Sequence, residues 1–252
     1  MDSHKRNVAV ITGGGKGLGR AIAVALSREG FDLVLVARDQ DALNDTQRRI
    51  IRETGRRVLV FQADVTRPDE IARLRAVVDQ EFGRVDALIN NAAGWLSGSL
   101  VDAKIDEIHS AIDTTVKGPI WLCREFWDHL KAANPGYIVN ITTLGARPSR
   151  SNATPIYVAA KFGLAGFTDA VRRLGIKDGI VVTEVLPGSV ASEFDIDDPI
   201  EVIEEKHGQS RTHPRDVAEA VVFSLSRSRT GMVEELGLPS VGDWFEDYSR
   251  YP

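Results

Sequence analysis

What the chain lacks narrows it first. It has one cysteine, Cys123. No internal disulfide can form, which fits a reducing compartment and leaves the fold to a buried core. Cys123 lies in the apolar run Ile120-Trp121-Leu122-Cys123, where a thiol reads as packing, not as a nucleophile. No stretch reaches the ~18 consecutive apolar residues of a membrane span. The polar residues 1–6 contain no apolar run of a secretion signal, so the expected location is the cytoplasm. The formal net charge of -5 removes any global basic field for nucleic acid or anionic lipid. The five histidines, His4, His109, His129, His207 and His213, stand in no metal-ligand spacing. They read as surface or helix-terminal residues, and no metal is expected.

What is present is an alternation. Short apolar runs at 8–11, 32–36, 57–62, 86–89, 137–141, 180–185 and 232–238 read as strands. Longer amphipathic runs at 17–28, 40–54, 68–82, 104–132, 156–174 and 214–226 read as helices. Strands apolar on both sides, each followed by a helix, indicate a parallel sheet covered on both faces. With 252 residues and no linker, repeat or low-complexity tract, the expectation is an α/β fold in a single domain over 1–252. Residues 1–6 form a polar N-terminal tail. Residues 192–212, rich in Asp and Glu, read either as a solvated loop with a short helix or as a lid over a pocket. As a lid, the acids would favour a cationic or polar substrate over a polyanionic carrier. The tail from about 240 to 252 is aromatic and acidic, and burying its rings would require docking on its own or a neighbouring subunit.

Chemistry enters at the glycines. Thr12-Gly13-Gly14-Gly15-Lys16-Gly17-Leu18-Gly19 lies between the first strand and the first helix. Glycines at a helix N-terminus allow close backbone approach and leave N–H groups free for phosphate. Gly19, with Ala21 and Ala23 after it, lets the helix pack close to the sheet. The second strand ends Val36-Ala37-Arg38-Asp39. Ala37 stands where an acid would bind ribose hydroxyls, while Arg38 and Lys16 are cations suited to a ribose phosphate. This favours NADP(H) over NAD(H), with Asp39 the opposing feature if it turns inward. The bland alternative for Arg38 and Lys16 is ordinary surface charge.

Tyr157 and Lys161 lie four apart on a helix and share one face. An ammonium beside a phenol lowers its pKa toward neutrality, which suits a general acid for carbonyl reduction and a base for the reverse.

Together these motifs resemble the short-chain dehydrogenase/reductase family, in a 3-oxoacyl-carrier-protein-reductase-like form, from about residue 7 to 238. The resemblance implies a Rossmann-type doubly wound sheet of about seven strands. It also implies a small carbonyl or alcohol substrate and a homo-oligomer, dimer or tetramer, paired through the central and Tyr-bearing helices. Thr12, Gly13, Gly15, Lys16, Gly17, Leu18 and Gly19 would form the phosphate turn. Asp64 and Val65 would meet adenine. Asn91, Ala92 and Ala93, within Asn90-Asn91-Ala92-Ala93-Gly94, would line the crevice at the strand ends. Pro187, Gly188, Val190 and Ser192 would wrap the nicotinamide. Lys161 would also hold the nicotinamide ribose.

Two positions depart from the family pattern. Thr143 stands where serine is usual, with Thr142 the alternative, though its side chain would point to the other face. Thr115 stands where asparagine is usual, a position whose backbone carbonyl serves a proton-relay water in the family. These departures give standing to a second reading, a non-catalytic NADP-binding regulator on the same fold. Retention of both Tyr157 and Lys161 argues for the enzyme.

Overall fold

The computed structural model describes residues 7–94, 100–146, 154–226 and 231–242. The sheet is built from β1 Val8–Thr12, β2 Asp32–Ala37, β3 Val58–Gln62, β4 Ala87–Asn90, β5 Gly136–Ile141, β6 Ile180–Pro187 and β7 Glu235–Leu238. All neighbours pair in parallel, in the order β3-β2-β1-β4-β5-β6-β7. The order reverses at β1 and β4, which opens a crevice at their carboxyl ends.

Alternation along each strand divides the core in two. On one face Ala9, Ile11, Leu33 and Leu35 pack against Ile22 and Leu26 of α1 Gly17–Arg28, Leu43 and Ile50 of α2 Gln40–Thr54, and Val217 and Val221 of α8 Pro214–Leu225. On the other, Val8, Val10, Val34 and Leu88 meet Leu74 and Val78 of α3 Pro68–Glu81, and Leu122 and Phe126 of α5 Gly118–Ala133. Val171 of α6 Pro155–Lys177 joins the second layer. Each fully buried Leu, Ile or Phe contributes about 1.5–3 kcal/mol, so these two layers fix the fold. Cys123 is 2% exposed and belongs to the second layer. Burial pushes its thiol up to about 12, which leaves it protonated and inert at neutral pH.

The helix expected over 104–132 is interrupted. It runs as α4 Ile105–Ile112, a π-helical turn Asp113–Lys117, and α5. The cause is in the sequence: Pro119 in the first turn of α5 has no N–H for the carbonyl four residues back, at Thr115. The backbone widens instead, and the Gly118 N–H reaches Asp113 O.

Residues 192–212 are an ordered excursion whose two ends meet at a bridge between Val190 and Thr212. Inside it stands α7 Ile200–His207. His213 stands at the start of α8, the helix-terminal place expected of it, and is 3% exposed. Its Nδ1 accepts from the Arg215 N–H and its Nε2 donates to Asp198 O, each at 2.9 Å. The Gly242 N–H donates to Gln209 O at 2.7 Å, and the rest of the expected docking tail, 243–252, lies outside the described residues. No described helix is long and apolar enough to cross a membrane.

Candidate functional site

A cavity of about 510 Å³ opens at the carboxyl ends of the first four strands. Its floor is the glycine turn. Gly13 has φ +68°, and a Cβ on Gly19 would stand 2.1 Å from Gly13 O and 2.6 Å from Asn91 Nδ2. The turn therefore requires glycine at both positions. The N-terminus of α1 follows, with no side-chain cap from Lys16, so its first amides are left for an anion.

Of the expected cofactor residues, Gly13, Gly15, Lys16, Arg38, Asp64, Val65, Asn91, Ala92 and Ala93 line this cavity. Arg38 is exposed and its guanidinium has no partner among the described residues. Asp39 caps α2, accepting from the Ala42 N–H at 3.1 Å, and pairs with Lys16 Nζ at 2.8 Å. That pairing holds its carboxyl below the usual range. Asp64 accepts from the Thr66 N–H at 2.9 Å, which fixes the turn.

Thr12 is 2% exposed and is not part of the cavity lining. Its hydroxyl accepts from the Asn91 and Ala92 N–H groups at 3.0 Å each, while Asn91 Nδ2 donates to Thr12 O at 2.9 Å. These bonds lock the ends of β1 and β4 together. Gly17, Leu18 and Gly19 also stand outside the lining, Leu18 against the core.

The second group stands over β5 and β6. Thr143 Oγ1 lies 3.2 Å from Pro187 O and is hydrogen-bonded to the Tyr157 side chain, its one proton serving either partner in turn. Lys161, one turn further along α6, is 3% exposed, and its Nζ donates to Ile141 O at 2.7 Å. The Lys161 ammonium lies 5.8 Å from the Tyr157 ring centre. Burial lowers Lys161 to about 8. Burial also raises the Tyr157 phenol above its ordinary value, and the bond to Thr143 pulls it partly back. Lys161, its Nζ turned to Ile141 O, does not contribute the expected lowering in this geometry, where burial of the phenol dominates.

Thr142 points to the other face, as its place on the strand requires. It is 3% exposed and donates to Glu184 Oε1 at 2.7 Å. Thr115 is fully buried in the π-turn, and its hydroxyl accepts from the Gly94 N–H at 3.1 Å. Pro187 ends β6, and Gly188 and Val190 follow it. Ser192 reaches the glycine turn, where its O lies 3.3 Å from the place a Cβ on Gly17 would take.

Three acids of the 192–212 segment are engaged by cations. Asp195 and Asp197 pair with Arg49 and Arg28, and Glu193 with Lys206 and His207. The charge of these three is balanced locally, while Glu201, Glu204 and Glu205 are exposed.

Sequence reasoning missed two features. Thr114 lines the cavity; its signal was Pro119, which sets the π-turn that carries it. Asn90 Nδ2 donates to Asn140 Oδ1, and Asn140 Nδ2 to Thr168 Oγ1, both at 2.8 Å. This buried chain runs from β4 through β5 to the helix that carries Tyr157 and Lys161. No periodic signal reveals it, because each member sits at an ordinary core position. Among the described residues no group of three His, Cys, Asp or Glu could hold a metal.

The comparisons with known proteins agree with this geometry. A family model described as short chain dehydrogenase matches residues 7–199. An uncharacterized oxidoreductase of Staphylococcus aureus is 30% identical over 229 residues, 91% of this chain and 95% of that protein. An alcohol dehydrogenase from the archaeon Thermococcus sibiricus, solved with 5-hydroxy-NADP, is 29% identical with a TM-score of 0.82, covering 94% of this chain and 97% of that one. A metagenomic short-chain oxidoreductase solved with NADP is 31% identical with a TM-score of 0.78, covering 93% and 97%.

Proposed function

The chain belongs to the short-chain dehydrogenase family of oxidoreductases, and from that premise we propose that it is an NADP(H)-dependent enzyme acting on a carbonyl or alcohol, with Tyr157 as the general acid and base. One observation carries the reading: Tyr157 is bonded to Thr143 and stands one helical turn from the buried Lys161, over strand ends adjoining the glycine-turn cavity.

The cavity fits a phosphorylated dinucleotide. The uncapped start of α1 would hold the diphosphate, and Arg38 with Lys16 the ribose phosphate. Asp39 supports this reading, because its carboxylate is occupied by the α2 cap and by Lys16 and opposes a phosphate less than a bare acid would. Asp64 and Val65 would meet the adenine. Pro187, Gly188, Val190 and Ser192 would border the nicotinamide end. When bound, the nicotinamide supplies or takes up the hydride.

The chain's own residues do the rest. Thr143 Oγ and Tyr157 Oη would both donate to the substrate oxygen, stabilising charge that develops there. Tyr157 Oη gives that oxygen its proton in reduction and takes it back in oxidation. Lys161, lowered by burial to about 8, remains mostly charged at neutral pH and would hold the nicotinamide ribose. Thr115 holds the Gly94 turn beside the site.

The test is a binding titration with NADPH and NADH, followed by turnover of a panel of ketones and aldehydes. Tighter binding of NADPH, with turnover lost in Tyr157→Phe, supports the reading. Failure of the wild type to bind either nucleotide removes it.

A further inference from the structure

The segment immediately after Ser192 is anchored from two directions. From α8, Arg215 Nε donates to Ile196 O and His213 Nε2 to Asp198 O, each at 2.9 Å, and Ile196 is 3% exposed in the core. From α1 and α2 come cations. Arg49 pairs with Asp195 and, at 2.6 Å, with Asp197; Arg28 reaches Asp197 at 2.6 Å. Glu53 joins both arginines, at 2.7 Å to Arg49 and 3.1 Å to Arg28. The Asp195 carboxylate is held within the segment by the Asp197 N–H, which donates to its Oδ1, and the Asp195 N–H donates to Asp198 Oδ2.

This is more than a scatter of surface pairs. The Arg49 side chain is only 11% exposed and serves three carboxylates. A planar guanidinium with several fixed donors suits such a junction, and partial burial spares it from full salt screening. The site depends on the same place. Ser192 O packs 3.3 Å from the Cβ position of Gly17, at the opening of α1, three residues before Asp195. Slack at Asp195 would therefore open directly over the helix N-terminus.

We infer that Arg49 and Arg28 form an ionic latch that seats residues 193–198 against α1 and α2, so that Ser192 covers the phosphate-binding turn before any ligand arrives. The two arginines are positioning residues: they touch no ligand and act through Asp195 and Asp197 on Ser192. The latch rests on the proposed nucleotide site for its purpose, though not for its existence. It also accounts for acids so close to an anion site, since each is neutralised by a cation on its far side.

The test uses the full chain, with NADPH and adenosine 2′-monophosphate as probes. Arg49→Met breaks the latch from α2, and Asp197→Asn breaks it from the segment. In the ligand-free protein, both variants should speed amide hydrogen exchange across residues 194–198. NADPH binding should weaken roughly 5-fold or more, the range of a coupling between linked sites. Adenosine 2′-monophosphate, which ends short of the turn beneath Ser192, should bind unchanged. Arg49→Lys, which keeps one cation without the fork, should fall between. Unchanged exchange and NADPH affinity in both variants would mean that the α8 anchors suffice, and would overturn the latch. Equal weakening of both probes would also overturn it, placing the effect in the folding of α2. A wild type that binds neither probe sinks the nucleotide reading, while the exchange rates still decide whether the latch exists.

Discussion

The hydroxyl of Thr115 accepts a hydrogen bond from the backbone N–H of Gly94 at 3.1 Å. Thr115 is fully buried, and Gly94 is so close to α4 that a Cβ there would stand 2.3 Å from Ala111 Cα. The bond closes a junction between the end of β4 and the π-turn. Thr115→Val keeps the shape and removes the acceptor, leaving a donor short of its partner, which costs about 1–3 kcal/mol. Urea unfolding should show that loss, and Thr115→Ser should recover most of it. Equal stability of the valine variant and the wild type would mean that Gly94 finds another acceptor.

Gly19→Ala should abolish nucleotide binding. The added methyl would meet Gly13 O at 2.1 Å and Asn91 Nδ2 at 2.6 Å, both part of the turn that holds the strand ends. The turn must move, and its amides move with it. Calorimetry with NADPH checks this, and wild-type affinity in the alanine variant would refute the close packing.

Tyr157→Phe removes the hydroxyl proposed to exchange a proton, while leaving the ring in its half-buried seat. Turnover should fall by about 10²–10⁴, the usual contribution of a general acid, with NADPH affinity little changed. A kcat within a few-fold of wild type would assign the proton to another group.

Lys161 gives a pH signature. Burial lowers its pKa from the ordinary 10.5 to about 8, so between these values the unfolded chain binds more protons than the folded one. Its contribution to stability therefore rises with pH from about 8 to about 10.5 and is unfavourable below that window. Lys161→Met removes this dependence. The stability of wild type relative to the methionine variant should improve between pH 7.5 and pH 10, read by denaturant titration at each pH. A constant difference would mean that the ammonium is better solvated than its burial implies.

Asp39→Asn frees Lys16 from its 2.8 Å ion pair while keeping a side chain able to cap α2. NADPH should bind several-fold tighter and NADH about the same. Weaker NADPH binding would instead make Asp39 the group that positions Lys16.

Much of the fold was legible because its signals are local. Apolar strands with helices between them, Pro68 at a helix start, and the glycines after β1 each report on residues close in sequence. The same holds for Tyr157 and Lys161, whose spacing of four places them on one helical face. The π-turn was legible too, in Pro119, but the long amphipathic run around it reads as one uninterrupted helix. The partners of the acids at 193, 195 and 197 were not legible, because sequence gives the sign of a charge and not its partner. Arg49 lies 146 residues from Asp195.

The sequence by itself determined the layered parallel sheet, the phosphate turn and the pairing of Tyr157 with Lys161. Periodicity, glycine conformation and helical spacing are properties of short stretches of chain. Only the tertiary structure decided what Thr115 bonds, where Asp39 turns, and that an acidic segment is fastened to two arginines. Those outcomes depend on desolvation and on partners far away in the chain. They exist only once the sheet has brought the ends of its strands together.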